Sequence, residues 1–397
     1  MTAFAGHLLR KSMRLAIVAA TAAAAFGLQS CREDDIIFIP EEVPVTTPEY
    51  TSVTGFYLLN EGNMGSNKCT LDYFDYSTGV YTRNIYGIAN PDVPKELGDV
   101  GNDIAVYGSR LYAVVNCSNK VEVMDAATAR RIGQVEIPNC RSIKFDSEYA
   151  YVTSYAGPVV IDPDYKQKGY VAKVNLATLE VEDRCIVGFQ PDGLEIVNGK
   201  IYVCNSGGYT VPNYENTLSV IDLATFREER RIEIAINLDG IVADRRGRLW
   251  ISSRGDYYNT PPRIYCYDTR KQRIEHALDI PANSMALCDD LLYVVSSTFN
   301  YGDATKDYVG SAIIDTETGE VTRQGIITDG SETQLRKPYG IAVNPETHEI
   351  FITDARTYVN PGYLYCYTPE GEYKWRVRTG DIPAHFAFTG DRHGSFI

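Results

Sequence analysis

Residues 190–204 read QPDGLEIVNGKIYVC, and Val220-Ile221-Asp222 follow shortly after them. This stretch holds three short apolar runs, and the last one ends in Asp, a residue that favours turns. The middle run is an aromatic residue followed by apolar ones, and it recurs seven times at a mean spacing of about 49 residues. Its copies begin at Tyr57, Tyr112, Tyr151, Tyr202, Trp250, Tyr293 and Phe351. Repetition at such a period indicates a repeat architecture.

Each repeat predicts four antiparallel strands. Six of the seven copies have a further short strand upstream, as in Gly340-Ile341-Ala342-Val343, and a third strand downstream that ends in Asp or Asn is followed by a polar fourth. The first copy lacks its leading strand, but His385-Phe386-Ala387-Phe388 near the C-terminus matches the others. We therefore predict an all-β, seven-bladed β-propeller over residues 53–397, in which the C-terminal strand closes the first blade. An array of β-sandwiches is the alternative.

Composition narrows the function. The formal net charge of −14 argues against a nucleic-acid partner, which needs a basic face. The chain has 29 Tyr and 32 Gly, as expected for many strands and turns, but five His. No pair of His at metal-ligand spacing and no Ser/His/Asp set is evident, so we predict no catalytic residues and no metal site, and expect a binding protein rather than an enzyme.

The N-terminus has the pattern of an export signal. Residues 1–30 combine basic residues with a short apolar run, as a lipoprotein signal peptide does. Leu28-Gln29-Ser30-Cys31 resembles a bacterial lipobox, which implies cleavage before Cys31 and lipidation of that residue, and Glu33-Asp34-Asp35 resembles the surface-export signal of Bacteroidetes lipoproteins. Residues 31–52 predict an acidic, Pro-rich tether. An incidental Cys and a merely solvated acidic run are the alternatives.

Eight further cysteines follow Cys31, and none forms a CxxC pair. A zinc site is therefore not indicated by spacing. Most of these cysteines lie in apolar strand-like runs, where Cys packs as a small core residue. A disulfide between Cys69 and Cys117 stays open, as does a structural Ca²⁺ in the Asp-containing loops.

The candidate binding residues lie on one predicted face. The loops joining second and third strands are long and rich in Tyr, Asn and Gly, whereas the opposite loops are minimal turns. From these loops we select Asn60, Asn63, Tyr155, Tyr209, Tyr214, Arg254, Tyr257, Tyr258, Phe299, Tyr301, Arg356 and Tyr358. The residues that open the leading strands point to the same face, and from these we select Asn102, Arg141, Asp192, Asp239, Tyr339 and His385. Rigid aromatic rings beside amide and guanidinium groups suit a large organic ligand or a protein surface. The alternative is that these residues only pack and cap the loops.

The repeat resembles the YncE-like seven-bladed propellers over about residues 53–390. Gln190-Pro191-Asp192-Gly193-Leu194 and Lys337-Pro338-Tyr339-Gly340-Ile341 carry that resemblance. With the lipobox and the opening Leu59-Asn60-Glu61-Gly62, the chain is similar to the BtuG proteins, surface lipoproteins that capture cobalamin.

The BtuG resemblance implies a protein that is anchored in the outer membrane through Cys31 and faces the cell exterior. It also implies that cobalamin (vitamin B12) or a related corrinoid binds as a ligand, not as a cofactor, and passes to a TonB-dependent outer-membrane transporter. A glycan-binding or a protein-interaction surface propeller is the alternative.

Overall fold

The computed structural model describes residues 41–93 and 97–390, which form seven antiparallel sheets. The first part of the chain contributes β1 (Glu41–Pro44), β2 (Val53–Asn60), β3 (Thr70–Asp75), β4 (Val80–Arg83) and the short helix α1 (Ile85–Ala89). Three complete blades follow, consisting of β5 (Gly101–Tyr107), β6 (Arg110–Val115), β7 (Lys120–Asp125) and β8 (Arg131–Glu136), then β9 (Cys140–Phe145), β10 (Tyr149–Ser154), β11 (Tyr170–Asn175) and β12 (Val181–Ile186), then β13 (Pro191–Val197), β14 (Lys200–Asn205), β15 (Thr217–Asp222) and β16 (Arg227–Glu233).

The second half of the chain repeats the same unit three times and then adds one strand. Its strands are β17 (Leu238–Ala243), β18 (Arg248–Ser253), β19 (Arg263–Asp268) and β20 (Arg273–Leu278), then β21 (Ser284–Cys288), β22 (Leu291–Thr298), β23 (Tyr308–Asp315) and β24 (Val321–Gln324), then β25 (Pro338–Val343), β26 (Ile350–Asp354), β27 (Pro361–Tyr367) and β28 (Tyr373–Asp381), and finally β29 (Pro383–Gly390). Two 3-10 turns are present. Ala304–Lys306 lies between β22 and β23 of blade 6, and Ser331–Gln334 lies between β24 and β25, where blade 6 leads into blade 7.

Strand β29 closes the ring. It pairs antiparallel with β2, so that Phe56 faces Phe388 and Leu58 faces Phe386, and the first sheet has the order β1-β4-β3-β2-β29. The predicted seven-bladed propeller with a C-terminal closing strand is therefore confirmed. Closure pairs the edges that an open ring would expose.

Aromatic packing stabilises the junction between the first and last blades. The fully buried rings of Phe56 and Phe351 lie 4.7 Å apart between centroids, and Phe74 lies 5.3 Å from Trp375. Tilted ring pairs of this kind add about 0.5–1.5 kcal/mol each beyond the area that they bury. The junction therefore does not depend on the β2–β29 hydrogen bonds alone.

The glycine of the Pro-x-Gly motif is required by close packing of the inner strands. A Cβ on Gly193 would lie 2.6 Å from the carbonyl oxygen of Asp239 in the next blade. A Cβ on Gly340 would lie 2.0 Å from the carbonyl oxygen of Ala384. Both distances are well below contact, so the inner strands pack this tightly around the central channel because these positions carry no side chain.

The segment predicted as a tether is in part a strand of the domain. Strand β1 pairs with the outer edge of the first blade, with Val43 facing Tyr81 of β4, and Val43 and Val45 pack against the blade's apolar core. The backbone N–H of Glu49 donates to the carbonyl of Tyr76 over 2.8 Å. Residues 41–52 therefore lie along the propeller.

The predicted signal peptide, Cys31, the acidic cluster and residues 31–40 of the tether lie outside the described residues. Within residues 41–93 and 97–390, no helix is both long enough and apolar enough to span a bilayer. The eight cysteines of this part are all unpaired, and seven of them are buried. The prediction that they act as core residues is confirmed for those seven, and Cys69 and Cys117, whose pairing the sequence left open, form no disulfide.

Candidate functional site

The residues that open the inner strands surround one mouth of the central channel. They line a cavity of about 460 Å³ together with Glu61 and Arg254. One such residue comes from each blade, namely His385, Asn102, Arg141, Asp192, Asp239, Asn283 and Tyr339 in blade order. Six of these seven residues were selected from the sequence as candidate binding residues, whereas Asn283 and Glu61 were not.

Irregular pairing aims these side chains. In six of the seven blades of the described chain, the pairing between first and second strands shifts register close to the mouth, as between Pro191 and Leu194 or between Leu238 and Ile241. A bulge turns the strand and re-aims the neighbouring side chains. The polar residue at the start of each inner strand can thus face the channel while the rest of the strand keeps its alternation.

Two arginines and two aspartates form an ionic network across blades 3 to 5. Arg254 donates from one nitrogen to Asp192 Oδ2 over 2.8 Å and from the other to Asp239 Oδ1 over 2.5 Å. Arg141 donates through Nε to Asp192 Oδ1 over 3.0 Å and through its other nitrogen to Asn102 Oδ1 over 2.9 Å. The two positive and two negative charges cancel, so this side of the mouth is polar without a net charge.

The two aspartates of this network differ in protonation tendency. Burial opposes ionisation of Asp192, but Arg254 and Arg141 outweigh it and hold the pKa of that carboxyl below its usual range. Burial raises the pKa of Asp239 above its usual range, and Arg254 offsets this only in part. Asp192 is therefore the fixed anion of the network, and Asp239 is the member that takes up a proton more readily.

Glu61 joins the opposite side of the mouth. Glu61 Oε2 accepts a hydrogen bond from the Tyr339 hydroxyl over 3.0 Å, and Glu61 Oε1 lies 3.0 Å from His385 Nε2. Burial and the neighbouring Glu61 raise the pKa of Tyr339 well above its usual range, so this residue stays a hydroxyl donor. Burial alone would lower the pKa of His385, but the hydrogen bond to Glu61 raises it above its usual value. This side therefore combines the carboxyl oxygens of Glu61 with a hydroxyl donor and a readily protonated imidazole.

An aromatic shelf lies on the loops of blades 5 and 6, and we use that name for Tyr257, Tyr258, Phe299 and Tyr301. The rings of Tyr257 and Phe299 stack at 5.3 Å with an angle of 12° between their planes, and Tyr301 meets Phe299 edge-on at 4.9 Å. Tyr258, Phe299 and Tyr301 are 49%, 42% and 68% exposed. Exposed rings packed against one another keep a rigid apolar surface in contact with water, which is typical of binding sites.

The remaining selected residues mostly support the loops. Tyr155 is buried and donates its hydroxyl to Asp192 over 2.5 Å, and Tyr209 lies edge-on to it at 6.1 Å. Asn63 donates to the carbonyl oxygen of Tyr358, whose ring lies edge-on to Tyr339 at 5.8 Å.

Two further selected residues lie at the edge of this region. Arg356 lies over the ring of Tyr363 at 5.5 Å. Burial raises the pKa of Tyr214 to about 12, and electrostatic interactions with Tyr257, Tyr258 and Tyr301 of the shelf raise it in the same direction.

One selected residue is misplaced, and its neighbour was missed. Asn60 is fully buried, and its amide donates to Thr70 Oγ1 over 3.1 Å and to Asp72 Oδ2 over 2.9 Å, so the prediction that it faces a ligand is wrong. Its neighbour Glu61 faces the mouth instead. Glu61 directly follows the second strand of its blade, as Tyr155 and Arg254 do in theirs. This shared position is the sequence signal that could have identified Glu61.

The opposite end of the channel has a different character. A cavity of about 510 Å³ there is lined largely by apolar side chains, including Phe145, Met285, Phe386 and Phe388. Tyr107 and Phe145 stack at its edge, with centroids 4.8 Å apart and planes within 6°. The aromatic shelf does not line the 460 Å³ cavity, but Tyr257 lies close enough to Arg254 and Asp239 to interact with them electrostatically, so exposed rings lie beside the polar mouth. This mouth is the candidate site for a large polar ligand.

The fold and this mouth define a class of protein, a seven-bladed β-propeller with a polar, ligand-sized opening on its long-loop face. The chain belongs to the family described as Domain of unknown function (DUF5074), whose model matches residues 54–369. A search of curated proteins gave no match.

Solved structures share the fold at low sequence identity. A quinonprotein alcohol dehydrogenase-like protein from Bacteroides thetaiotaomicron has a TM-score of 0.56 and 13% identity, with 86% of this chain and 79% of that chain covered. The hydrazine synthase of Kuenenia stuttgartiensis has a TM-score of 0.53 and 18% identity, covering 68% and 77%. The Pan2 WD40 domain of Neurospora crassa has a TM-score of 0.51 and 8% identity, covering 74% and 80%. These likenesses concern the propeller fold, and the resemblance to YncE-like and BtuG proteins stays a prediction.

Proposed function

We propose that this protein is a lipid-anchored, non-catalytic propeller that binds cobalamin or a related corrinoid at the polar mouth. The observation that carries the proposal is the pairing of two features on one face. The ionic network and Glu61 supply fixed hydrogen-bonding groups, and the aromatic shelf supplies exposed rings beside them. The BtuG resemblance of the sequence selects the corrinoid among ligands of this kind.

The chemistry of a corrinoid matches these two features. Its ring carries amide side chains that both donate and accept hydrogen bonds, which Asp192, Asp239 and the two arginines can answer. Its broad apolar face suits packing on Tyr301 and Phe299. A network without net charge suits an uncharged or zwitterionic ligand, because no buried charge is left unpaired on binding.

The size of the mouth limits how such a ligand binds. A cavity of about 460 Å³ is comparable to pockets for small organic ligands, so it takes only part of a corrinoid. The rest of the ligand then lies outside the cavity, where the exposed shelf is available. A large rigid ligand loses little conformational entropy on such a preformed surface.

The proposal extends to the cell surface. The lipobox ending at Cys31 and the acidic residues after it support lipid anchoring in the outer membrane with the propeller facing outward. A TonB-dependent transporter is the proposed acceptor of the ligand. Acyl chains provide the anchoring because the strongly negative chain is repelled by anionic lipid head groups.

The second candidate function is glycan binding, and the exposed shelf favours it. Rings that are 42–68% exposed at Tyr258, Phe299 and Tyr301 can stack on the apolar faces of sugars. The ionic network would then bond sugar hydroxyls. This alternative uses the same residues but predicts no affinity for cobalt corrinoids.

Calorimetry of the purified full chain with cyanocobalamin separates the two functions. The corrinoid proposal predicts one-to-one binding with a dissociation constant in the micromolar range or tighter. No heat and no competition at micromolar protein would overturn it. Binding on a glycan array, together with no response to cyanocobalamin, would establish the alternative.

A further inference from the structure

Two short turns of neighbouring blades meet on the face opposite the polar mouth. Cys288 is the last residue of β21 in blade 6, Asp289 begins the turn between β21 and β22, and His348 lies in the turn between β25 and β26 of blade 7. Blades 6 and 7 thus each contribute one turn to this cluster. It is separate from the ligand site proposed above and uses none of its residues.

The geometry of the cluster is that of a metal-ligand set. One potential ligand atom from each of Cys288, Asp289 and His348 lies within 4.8 Å of the other two. His348 Nε2 and Asp289 Oδ2 are already 2.9 Å apart. Within residues 41–93 and 97–390, no other group of three such side chains meets this condition.

The position of the three side chains suits access by an ion. Cys288 is 6% exposed, so the surrounding protein covers most of this residue. The side chains of Asp289 and His348 are 52% and 45% exposed, so a cation can reach them from solvent without opening the fold. Because both are at the surface, small rotations can adjust them to a bound ion.

The donor types favour zinc over the hard cations. A thiolate, an imidazole and one carboxylate are the ligands that Zn²⁺ takes, whereas Ca²⁺ and Mg²⁺ require oxygen alone. Zinc bonds of about 2.0–2.2 Å to nitrogen and oxygen place those two atoms about 3.3 Å apart in a tetrahedron. The observed separation of 2.9 Å needs only a few tenths of an ångström of adjustment.

Arg245 completes the arrangement as an outer partner. It contacts Oδ1 of Asp289, and this leaves Oδ2 as the oxygen that faces His348. A metal-bound carboxylate is commonly hydrogen-bonded through its second oxygen, which fixes its orientation. The ion pair to Arg245 is therefore compatible with metal binding through Oδ2 and does not compete for the same atom.

We propose that Cys288, Asp289 and His348 bind a divalent cation of the zinc class, with water as the fourth ligand. Binding replaces the thiol proton of Cys288, which is released to solvent, and forms bonds to Cys288 Sγ, Asp289 Oδ2 and His348 Nε2. The ion then connects the turns of blades 6 and 7. Since it binds the folded chain, it raises the stability of the fold with metal concentration.

The same contacts also describe a site without metal. The turns of three blades carry Arg245, Asp289 and His348, and a charged His348 would join an inter-blade ion pair. Such an exposed pair contributes at most about 1 kcal/mol and gives Cys288 no role. Whether the Cys288 thiolate binds a metal ion therefore distinguishes the metal site from the simple ion pair.

The test uses the full chain, stripped with a chelator and dialysed, and then titrated with Co²⁺ and Zn²⁺. The proposal predicts one equivalent of bound Co²⁺ with a thiolate-to-cobalt charge-transfer band, which Zn²⁺ abolishes by displacement. Cys288→Ser removes the band, and His348→Gln weakens the metal affinity at least about tenfold. Cys117→Ser is the matched control, since Cys117 is a half-buried cysteine outside the cluster, and it should leave binding unchanged.

Three results would overturn the proposal. The first is no stoichiometric binding of Co²⁺ or Zn²⁺ by the wild-type chain. The second is binding without the charge-transfer band, which means that the thiolate is not a ligand. The third is equal affinity in His348→Gln, a variant of an exposed side chain that folding tolerates. That third result keeps the test decisive even where Cys288→Ser fails to fold.

Discussion

Replacing Arg254 by Met removes the guanidinium that holds the ionic network together while keeping most of the side chain's apolar stem. Arg254 contacts Asp192 at 2.8 Å and Asp239 at 2.5 Å. Asp192 keeps a second cation, Arg141, at 3.0 Å. Among the described residues, Asp239 has no other cation within ion-pair distance. The substitution therefore leaves one partly buried carboxylate without a partner beside another carboxylate.

The loss of stability in Arg254→Met depends on how deeply the ion pair is buried and on how far water screens it. Removing one partner of a buried ion pair costs about 3–5 kcal/mol. The side chains of Arg254 and Asp239 are 27% and 20% exposed, so water screens part of the interaction. We expect Arg254→Met to lower the free energy of unfolding by about 2–3 kcal/mol at pH 7. Arg227→Met is the control, because Arg227 is 69% exposed and pairs with Asp183 at 3.6 Å, and it should cost less than about 0.5 kcal/mol.

The cost should also depend on pH in a defined direction. Burial already raises the pKa of Asp239, and loss of Arg254 raises it further. A carboxyl whose folded pKa exceeds its unfolded value of about 3.9 destabilises the fold as pH rises through that window. The cost of Arg254→Met is therefore largest above the raised pKa and shrinks below it.

Urea unfolding over a series of pH values from 7 down to 4, followed by the fluorescence of the buried Trp250 and Trp375, measures this dependence. A cost at pH 7 no larger than that of Arg227→Met, or a cost that does not fall anywhere in the series as the pH is lowered, would refute the reasoning.

Three further predictions concern other parts of the molecule. Tyr301→Ala should weaken cyanocobalamin binding by about five- to thirtyfold without loss of stability, since Tyr301 is 68% exposed, whereas Tyr50→Ala, 89% exposed and just before β2, should leave the titration unchanged. Gly340→Ala should lower the free energy of unfolding by more than about 2 kcal/mol, because its Cβ would lie 2.0 Å from a carbonyl oxygen, and Gly302→Ala, whose Cβ meets nothing closer than 3.4 Å, should cost under about 0.5 kcal/mol in the same denaturation curves; equal costs would contradict the close-packing argument. His385→Gln should cost about 1 kcal/mol below pH 6, and this cost should vanish as pH rises through the raised folded-state pKa of His385; a cost independent of pH would show that the charged pair with Glu61 does not form.

The ring could be predicted because each blade repeats the same local signals. Short apolar strands with aromatic residues, each followed by turn residues, mark the four strands of a blade without any long-range information. The absence of a leading strand before Tyr57 and its presence at His385 then indicated how the ring closes. Pairing of β29 with β2 confirms that inference.

The exact set of mouth residues depends on pairing irregularities that the sequence does not show. The register between β2 and β29 shifts between Leu59 and Asn60. The extra residue of this shift is Ala384 on β29, so the irregularity re-aims residues of β29. Asn60 pairs regularly with Thr70 of β3 and stays buried, and Glu61, directly after the strand, faces the mouth. Tyr155 was selected as a ligand contact because it follows a second strand, but the fold buries its ring and uses its hydroxyl to position Asp192.

Contacts between residues far apart in the sequence account for the other differences between the sequence-based predictions and the structure. Strand β1 is Glu41-Glu42-Val43-Pro44, which has no β-alternation of its own and is a strand only because β4 offers a free edge. The cysteine and histidine of the proposed metal cluster lie in different blades, so no local spacing brings Cys288 near His348. Local patterns therefore predicted the blades, whereas contacts between blades had to come from the structure.

The most direct test of the central claim is anomalous diffraction at the cobalt absorption edge from crystals of the protein with cyanocobalamin. We expect one cobalt peak per chain at the polar mouth, beside the aromatic shelf and the network of Arg141, Asp192, Arg254 and Asp239. A peak at the apolar end of the channel near Phe386 and Phe388, or no ordered cobalt at all, would contradict it.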